Sequence, residues 1–456
     1  MRKTVWCIVT MITLAILLTC CSPTEVDGEH TKEPTPATKA EGDMNDADAT
    51  QEMEEVVTTI YLLEFDKYIS KAVPLYNVVN RDNHCRVEFQ EFPMDQMESM
   101  YDRLTQEILA GGGPDIIYYN RFFKRYVDIQ RAAKQGALAD LDELIAKDDD
   151  MSMEDYDDVV MDVGIIDDKR VLLPASYNVD YLLGLKETFD YHGIKVPQKW
   201  TMDEYLGILE AYYASTTTEP AMLGYHYSDP VELLQTVIDD GELDEDAFLR
   251  MARVLKQEHV RYMNTSFGRM RMDEYCAWHL ANNYLFLPAR LQGGSEFFNV
   301  LCTYTYAQNC DANLVVFEFP GKKHLDSGFM INAHSNYKKE ALDFIQYMLG
   351  EEPQSEETAA FSGLPVNRKA YENRKKDLDE RYKNFYGSKL LPIPEDMRAN
   401  LYTFIESIDT CDDLGYETFL YNNFIQEQLL SYYTDEIDET ELVESIKSKL
   451  FIYYSE

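Results

Sequence analysis

The stretch EILAGGGPDIIYYN, from Glu107 to Asn120, joins a predicted helix to a predicted strand through three glycines. Apolar residues before it recur at the spacing of an amphipathic helix: Met97, Met100, Leu104 and Ile108. The glycines suit a left-handed helix cap, Pro114 prevents the helix from continuing, and the apolar run from Asp115 to Tyr119 predicts a buried strand. A phosphate-binding loop requires the reverse order, strand then helix, so the triple glycine does not indicate a phosphate site.

The segments before this stretch predict two more strands around one helix. Val57–Phe65 is apolar and β-branched, Ile69–Tyr76 has helical spacing, and Arg86–Phe92 alternates with Val87 and Phe89 on one face. The resulting β–α–β–α–β order favours a parallel sheet with right-handed crossovers. Ligands of open α/β sheets bind outside the carboxyl ends of the strands, which is where residues 119–121 emerge. Their phenol, amide and guanidinium groups suit a polyol.

The rest of the chain continues the alternation of strands and helices. A strand is predicted over Arg170–Tyr181, and Thr201 with Glu204 forms a capping box at the start of a helix. A short strand is expected over Gly328–Ala333, with Ser335 as the N-cap of the following helix. The region from Leu401 to Tyr454 has helical spacing. The fold class predicted is therefore α/β.

The first residues have the pattern of a secretory signal. Arg2 and Lys3 precede an apolar run that ends in Leu-Thr-Cys-Cys-Ser, and this ending resembles a bacterial lipoprotein processing box. We expect residues 1–20 to be removed and Cys21 to carry the lipid, with Cys20 as the alternative. A plain secretory signal is the other interpretation. Residues 21–56 are acidic and contain few large apolar side chains, which predicts a disordered tether.

Composition excludes some partners. The chain has 82 acidic and 42 basic residues, a formal charge of −40, which argues against nucleic acid and against adhesion to anionic lipid. The predicted membrane attachment is therefore the covalent anchor. The cysteines beyond the signal do not form a disulfide framework, although a pair between Cys302 and Cys310 stays open. No metal, cofactor or catalytic motif is predicted.

Six segments together resemble one family. They are GGGPDII at Gly111, GALADLDELI at Gly136, VLLPASYNVDYLLGLKETFDYHGI at Val171, VPQKWTMDEYL at Val196, FPGKKHLDSGFMINAHSNYKKEALDFIQYML at Phe319 and GLPVNRKAYE at Gly363. In this order they resemble the extracellular solute-binding proteins of ABC importers, in the group that includes maltose-binding protein. The resemblance covers nearly all of the chain after the tether.

The resemblance implies a periplasmic-binding-protein-like class II fold, in which two α/β lobes are joined by a hinge and hold the ligand in a cleft. Lobe 1 would contain residues 57–173 and 329–365, and lobe 2 residues 177–326 and 367–456. Hinges are expected near Pro174, Gly328 and Pro365. Function would be solute capture by hinge closure, followed by recognition of the closed form by ABC permease subunits. The protein would be a monomer on the outer face of the bacterial cytoplasmic membrane.

The resemblance also implies a set of ligand-binding residues. Carried over segment by segment, the positions are Glu64, Phe65, Asp66, Tyr119, Asn120, Arg121, Tyr177, Asn178, Tyr225 and Phe329. Stacking of an aromatic ring on a sugar, with amide and charged groups on its hydroxyls, is the usual chemistry of such a pocket. Because the chain has 33 Tyr and only 3 Trp, stacking would fall mainly to tyrosine.

Two other functions are weighed against carbohydrate capture. A two-lobed surface lipoprotein could bind a non-sugar ligand for sensing or adhesion. A secreted glycosidase would need two carboxylates at a defined separation, and with 82 acidic residues such pairs carry no information by count. The prediction is a binding protein and not an enzyme.

Overall fold

The chain folds around one mixed β-sheet, with helices on its faces. The computed structural model describes residues 55–120, 122–148, 151–197, 201–216, 221, 234, 237–239, 242–263, 284–291, 298–317, 321–355, 363–376, 391–411, 414 and 419–455. Within these ranges the main sheet has eight strands in the order β10-β6-β11-β3-β1-β2, and β9 and β12 also pair with β6. The strands are β1 (Val56–Leu63), β2 (Cys85–Phe92), β3 (Ile116–Tyr119), β4 (Ile165–Ile166), β5 (Lys169–Arg170), β6 (Leu173–Leu185), β7 (Ile238–Asp239), β8 (Glu242–Leu243), β9 (Leu287–Leu291), β10 (Leu314–Phe317), β11 (Lys323–Ile331) and β12 (Leu364–Pro365).

The helices follow the apolar spacing of the sequence. They are α1 (Lys67–Val79), α2 (Met97–Leu109), α3 (Phe123–Tyr126), α4 (Ile129–Lys134), α5 (Leu141–Ile145), α6 (Asp158–Met161), α7 (Lys186–Tyr191), α8 (Met202–Ser215), α9 (Glu245–Met263), α10 (Phe298–Asn309), α11 (Lys338–Leu349), α12 (Glu351–Ser355), α13 (Glu395–Ser407), α14 (Gln426–Tyr433) and α15 (Glu439–Ser455). Residues 368–376 are also helical, and Tyr421–Ile425 is a turn of π-helix. No helix in the described ranges combines the length and apolar character needed to cross a bilayer.

The glycine turn after α2 is confirmed. Gly111 and Gly113 have φ angles of 82° and 89°, which non-glycine residues rarely adopt. The amide of Gly112 donates to the carbonyl of Glu107 at 2.8 Å, a bond typical of a helix that ends in a left-handed cap. The chain then enters β3 beside β1.

The two faces of the sheet are covered by different helices. On one face Ile60 and Ile116 pack with residues of α1 and α11, and on the other Leu63 and Ile117 pack with residues of α2. A third core joins the second half of β6 to α8, α9, α14 and α15. Strand β6 therefore runs through two regions of packing, because it is 13 residues long.

Strand direction agrees with the prediction for only part of the sheet. The pairs β1–β2 and β1–β3 are parallel, as expected. Strand β11 is antiparallel to β3 and β6, because it does not enter through a β–α–β crossover. The residues from Met53 to Glu456 form one compact unit, and the division into lobes stays a prediction.

Three local predictions differ from the structure. Phe89 is 37% exposed because β2 lies at the edge of the sheet, although Val87 is buried as expected. Strand β11 begins at Lys323, five residues before the predicted Gly328. Ser335 does not cap α11, whose N-cap residue is Tyr337.

The possible disulfide between Cys302 and Cys310 is not formed, because both are free thiols. Cys20, Cys21 and the tether up to residue 54 lie outside the described residues.

Candidate functional site

The first part of the candidate site lies where β1 ends and α1 begins. Asp66 closes this turn, because its Oδ2 accepts a hydrogen bond from the amide of Leu63 at 2.8 Å. Asp66 is only 5% exposed, and a carboxylate buried to this extent needs hydrogen-bond donors around it. The carboxylate is therefore fixed at the carboxyl end of β1.

Asn120, directly after β3, supplies one of those donors. Its Nδ2 donates to Asp66 Oδ1 at 3.3 Å. Its own Oδ1 accepts from the Tyr101 hydroxyl at 2.8 Å and from two backbone amides that follow it, Phe122 and Phe123, at 2.9 and 3.2 Å. The structure thus brings two predicted site residues together, and the Asn120 amide holds the Asp66 carboxylate in place.

The second part of the site lies between β6 and β11. The pairing of these strands is irregular around Asp326, because Leu325 pairs with Tyr177 and Ser327 with Ser176. Such a bulge re-aims a side chain. Asp326 Oδ1 accepts from Asn178 Nδ2 at 2.9 Å, and Oδ2 accepts from the Ser176 hydroxyl at 3.2 Å. The Ser176 and Ser327 hydroxyl oxygens are 2.6 Å apart.

Tyr118 connects the two parts. Burial raises the pKa of its hydroxyl well above the usual value, and the negative charges of Asp66 and Asp326 act in the same direction. A hydrogen bond with Ser327 opposes this shift. Tyr118 is therefore a neutral phenol that lies near both carboxylates. We call the connected set the central polar cluster: Asp66, Tyr118, Asn120, Ser176, Asn178, Asp326 and Ser327.

One atom of the central polar cluster has an unused hydrogen-bonding position. Asn178 is 2% exposed, and its Oδ1 is buried without a hydrogen-bond partner among the described residues. Leaving a buried acceptor unsatisfied costs about 1–3 kcal/mol. A void of about 10 Å³ lies beside Asp66, Tyr118 and Asn120, which is room for one water molecule or one hydroxyl group. The void does not reach Asn178, so the cluster offers one buried acceptor, Asn178 Oδ1, that a hydrogen-bond donor can still satisfy.

Two other predicted residues lie close to Asp66 in the chain. Glu64 is exposed, and its Oε1 accepts from the amide of Met94 at 3.3 Å. The ring of Phe65 packs edge-on against Phe122, with centroids 5.2 Å apart. Both residues lie at the same end of β1 as the cluster, and their role as ligand contacts stays a prediction.

Tyr119 and Phe329 are placed in the cores. Tyr119 is 1% exposed and packs against Phe123, with ring centroids 5.4 Å apart. Phe329 is fully buried, and its ring lies 5.4 Å from that of Tyr118 and 6.0 Å from that of Phe344. These rings shape the sheet under the cluster. Neither ring belongs to the polar site described above, and their contact with a ligand stays a prediction.

Tyr177 and its neighbour Asn178 lie on opposite faces of β6, because successive strand residues alternate. Tyr177 belongs to the core shared with Ala175 and Val179, and it lines a separate cavity of about 400 Å³. The sequence analysis assigned both Tyr177 and Asn178 to one ligand site and did not predict that they lie on opposite faces of the strand. Arg121 and Tyr225 lie outside the described residues.

Sequence reasoning missed four members of the cluster: Tyr118, Ser176, Asp326 and Ser327. A signal for Ser176 was present, because Ser176, Asn178 and Asp180 are polar at every second position of a strand whose alternate residues are apolar. No comparable pattern marks Asp326, which reaches the site through a bulge.

Comparison with known proteins gives the fold. No family model matches the chain. The sugar-binding protein MalE from Xanthomonas citri is similar in structure, with a TM-score of 0.57 and 13% identity over 88% of this chain and 98% of that one. A periplasmic solute-binding protein from Pectobacterium atrosepticum has a TM-score of 0.57 and 18% identity, over 88% and 99%. An ABC substrate-binding protein from Listeria monocytogenes in complex with cycloalternan has a TM-score of 0.54 and 14% identity, over 87% and 98%.

These similarities extend over almost the whole length of each solved structure. The chain therefore has the α/β fold of the periplasmic-binding-protein-like solute-binding proteins, as its sequence motifs predicted. At this level of identity the likeness defines the fold, and the site must be argued from the residues of this chain.

Proposed function

We propose that this chain is a lipid-anchored extracytoplasmic solute-binding protein that captures a carbohydrate by hinge closure and presents it to an ABC importer. The observation that supports this most directly is the buried Oδ1 of Asn178 in the central polar cluster, which no described residue hydrogen-bonds. A binding pocket needs a few convergent polar groups with fixed orientation. In the cluster, Asp66 and Asn120 follow the carboxyl ends of β1 and β3, where ligands of α/β sheets bind, and Asn178 and Asp326 lie within the neighbouring strands β6 and β11.

The chemistry of the cluster favours a ligand rich in hydroxyl groups. Asn178 Oδ1 can accept a hydrogen bond, and so can the carboxylates of Asp66 and Asp326. A sugar hydroxyl donates one hydrogen bond and accepts others, so a sugar can satisfy several such groups at once. This combination supports a carbohydrate over an apolar ligand.

The similar solved structures support the same ligand class. The protein from Xanthomonas citri is described as sugar-binding, and the one from Listeria monocytogenes is in complex with cycloalternan. Binding in such a fold requires no bond to be made or broken, so we propose no catalytic role for the cluster carboxylates.

The attachment and the partner are also proposals. Cys21 would carry the lipid after removal of residues 1–20, and residues 21–56 would hold the folded part away from the outer face of the cytoplasmic membrane. Their acidic composition would keep this tether extended through self-repulsion. The partner would be the permease subunits of an ABC importer.

Thermal unfolding with a sugar panel tests the proposal. Ligand bound only to the native state adds about 2.7 kcal/mol of stability at a hundredfold excess over Kd. We expect the purified mature protein to show a raised Tm with one class of mono- or oligosaccharide. Asn178→Ala should reduce this ligand-induced rise, because the ligand then loses its acceptor.

Asn77 provides a matched control. Its amide is satisfied within the protein, because Nδ2 donates to the Val87 carbonyl at 2.9 Å and Oδ1 accepts from the Val87 amide at 2.8 Å. Asn77→Ala should lower the Tm without ligand and leave the ligand-induced rise unchanged. Absence of any rise across sugars would contradict carbohydrate capture, and a rise with another ligand would favour the sensing or adhesion function.

A further inference from the structure

A second cavity, of about 400 Å³, lies beside β6, β11 and β12. It is separate from the central polar cluster, because Tyr177 points to the opposite face of β6 from Asn178. Its volume is within the range of small-molecule sites. We call it the Tyr177 cavity, and its wall includes Asp157, Asp158, Tyr177, Lys323, Pro365, Arg368, Tyr371, Glu372, Glu406 and Asp409.

The basic side chains in the wall are already paired. Lys323 Nζ lies 2.7 Å from Asp157 Oδ2, and its side chain is 5% exposed. Arg368 Nη2 lies 2.7 Å from Asp158 Oδ1. An anionic ligand would have to compete with these ion pairs, so the wall does not favour one.

Three groups in the wall that can accept hydrogen bonds have no partner among the described residues. Tyr177 is 3% exposed, and its hydroxyl makes no hydrogen bond to a described residue. The Tyr371 hydroxyl is buried and also has no partner in that part of the chain. The carboxylate of Asp409, at the rim, forms no ion pair with a described residue. A ligand that donates hydrogen bonds and carries positive charge would satisfy all three.

The charge of the wall and its aromatic rings also favour a cationic ligand. The wall contains five carboxylates, from Asp157, Asp158, Glu372, Glu406 and Asp409, against two basic side chains, Lys323 and Arg368. Lys375 beside the wall pairs with Glu406 at 2.6 Å and with Glu372 at 3.7 Å, so the wall and this lysine together carry five negative and three positive charges, and Asp409 is the carboxylate that has no ion pair with a described residue. The Tyr177 ring already holds the ammonium of Lys323 at 5.3 Å from its centroid. The Tyr402 ring, which packs edge-on against Tyr371, holds the ammonium of Lys375 at 4.9 Å. Such rings attract a cation when it is withdrawn from water.

We propose that the Tyr177 cavity binds a small organic cation with one or more primary ammonium groups. A bare metal ion fits less well, because the cavity is large and the described residues contain no cluster of His, Cys, Asp or Glu suited to a metal. Burial raises the pKa of the Tyr177 hydroxyl well above its usual value, and the charge of Asp157 adds to this. The hydroxyl therefore stays neutral and can accept a hydrogen bond from an ammonium group.

Isothermal titration with the linear diamine cadaverine tests the proposal on the purified mature protein. We expect saturable one-to-one binding that weakens as salt is raised. Tyr177→Phe and Asp409→Asn should each weaken the affinity by roughly tenfold or more, since the first removes a hydrogen-bond acceptor and the second removes a negative charge that attracts the ammonium group. The matched control is Asp95→Asn, an exposed aspartate outside the cavity wall. It should leave the affinity unchanged.

Two outcomes would overturn the proposal. One is the absence of saturable binding with cadaverine, butylamine and spermidine alike. The other is binding that Tyr177→Phe and Asp409→Asn leave unchanged. Tyr177→Phe removes a hydroxyl that bonds to no residue in the described part of the chain, so the variant should keep its Tm and a folding defect will not mimic loss of the site. The result is independent of the proposed solute, because the sugar-induced rise in Tm should be the same in Tyr177→Phe as in the wild type.

Discussion

At the scale of single residues, Asp115 joins three segments at the base of the site. Its Oδ2 accepts from the amide and the hydroxyl of Thr59, both at 2.9 Å, and its Oδ1 accepts from the Ser335 hydroxyl at 2.6 Å. Thr59 lies in β1, and Ser335 precedes α11. Asp115→Ala leaves these donors without an acceptor, so we expect a loss of about 3 kcal/mol in the free energy of unfolding. Urea denaturation measures it.

The control for Asp115 is an exposed aspartate on the surface of a helix. Asp102 is exposed on α2 and forms no ion pair with the described residues. Asp102→Ala should change the free energy of unfolding by less than about 0.5 kcal/mol. If Asp115→Ala were equally mild, the three hydrogen bonds would not contribute to stability.

Single residues also show where sequence reasoning stops. The sequence marks Tyr119 and Asn120 as positions after a buried strand, but β3 is only four residues long and entirely apolar or aromatic. Because polar and apolar residues do not alternate in this strand, the sequence does not show which residues lie on which face of the sheet. Tyr118, not Tyr119, lies near Asp66 and Asp326. The choice is made by packing on the helices that cover each face.

At the scale of elements, α8 begins with a capping box that the sequence predicts and the structure confirms. The Thr201 hydroxyl accepts from the Glu204 amide at 3.2 Å, and Glu204 Oε2 accepts from the Thr201 amide at 3.1 Å. Thr201→Ala removes one acceptor from the helix N-terminus. We expect a loss of about 1 kcal/mol in the free energy of unfolding, measured by urea denaturation.

A threonine inside another helix is the matched control. The Thr403 hydroxyl in α13 donates to the carbonyl of Ala399 in the preceding turn at 2.9 Å. Because alanine has the higher helix propensity, Thr403→Ala should be neutral or slightly stabilising. A loss at Thr403 as large as that at Thr201 would assign the effect to the lost side chain and not to the cap.

The elements that sequence reasoning predicted best are those with a clear apolar stripe, such as α2, α8 and α11. In α2, Met100, Leu104 and Ile108 are buried at the predicted spacing, and the buried residues of α8 and α11 also recur three and four positions apart. The start of β11 was missed because Lys323, His324 and Asp326 are polar residues, which are typical of a loop. In the structure they are buried, and Lys323 is neutralised by Asp157 at 2.7 Å. Long-range pairing of this kind leaves no local pattern.

At the scale of the whole molecule, the site is assembled by the sheet and not by any one segment. Asn178 and Asp326 are 148 residues apart in sequence, yet their side chains are hydrogen-bonded. The family resemblance could predict that these segments cross, because it depends on the order of the motifs. It could not predict which side chains meet, because that depends on the bulge in β11.

The same topology gives the last prediction. Strands β6, β11 and β12 pair side by side next to the predicted hinge positions Pro174, Gly328 and Pro365. If captured sugar bridges the two predicted lobes, rotation about these crossings should make the protein more compact. We therefore expect saturating sugar to lower the radius of gyration in small-angle X-ray scattering. Asn178→Ala, at the same sugar concentration, should show a smaller decrease because less ligand is bound. An unchanged radius in wild-type protein that calorimetry shows to be saturated would mean that capture occurs without closure.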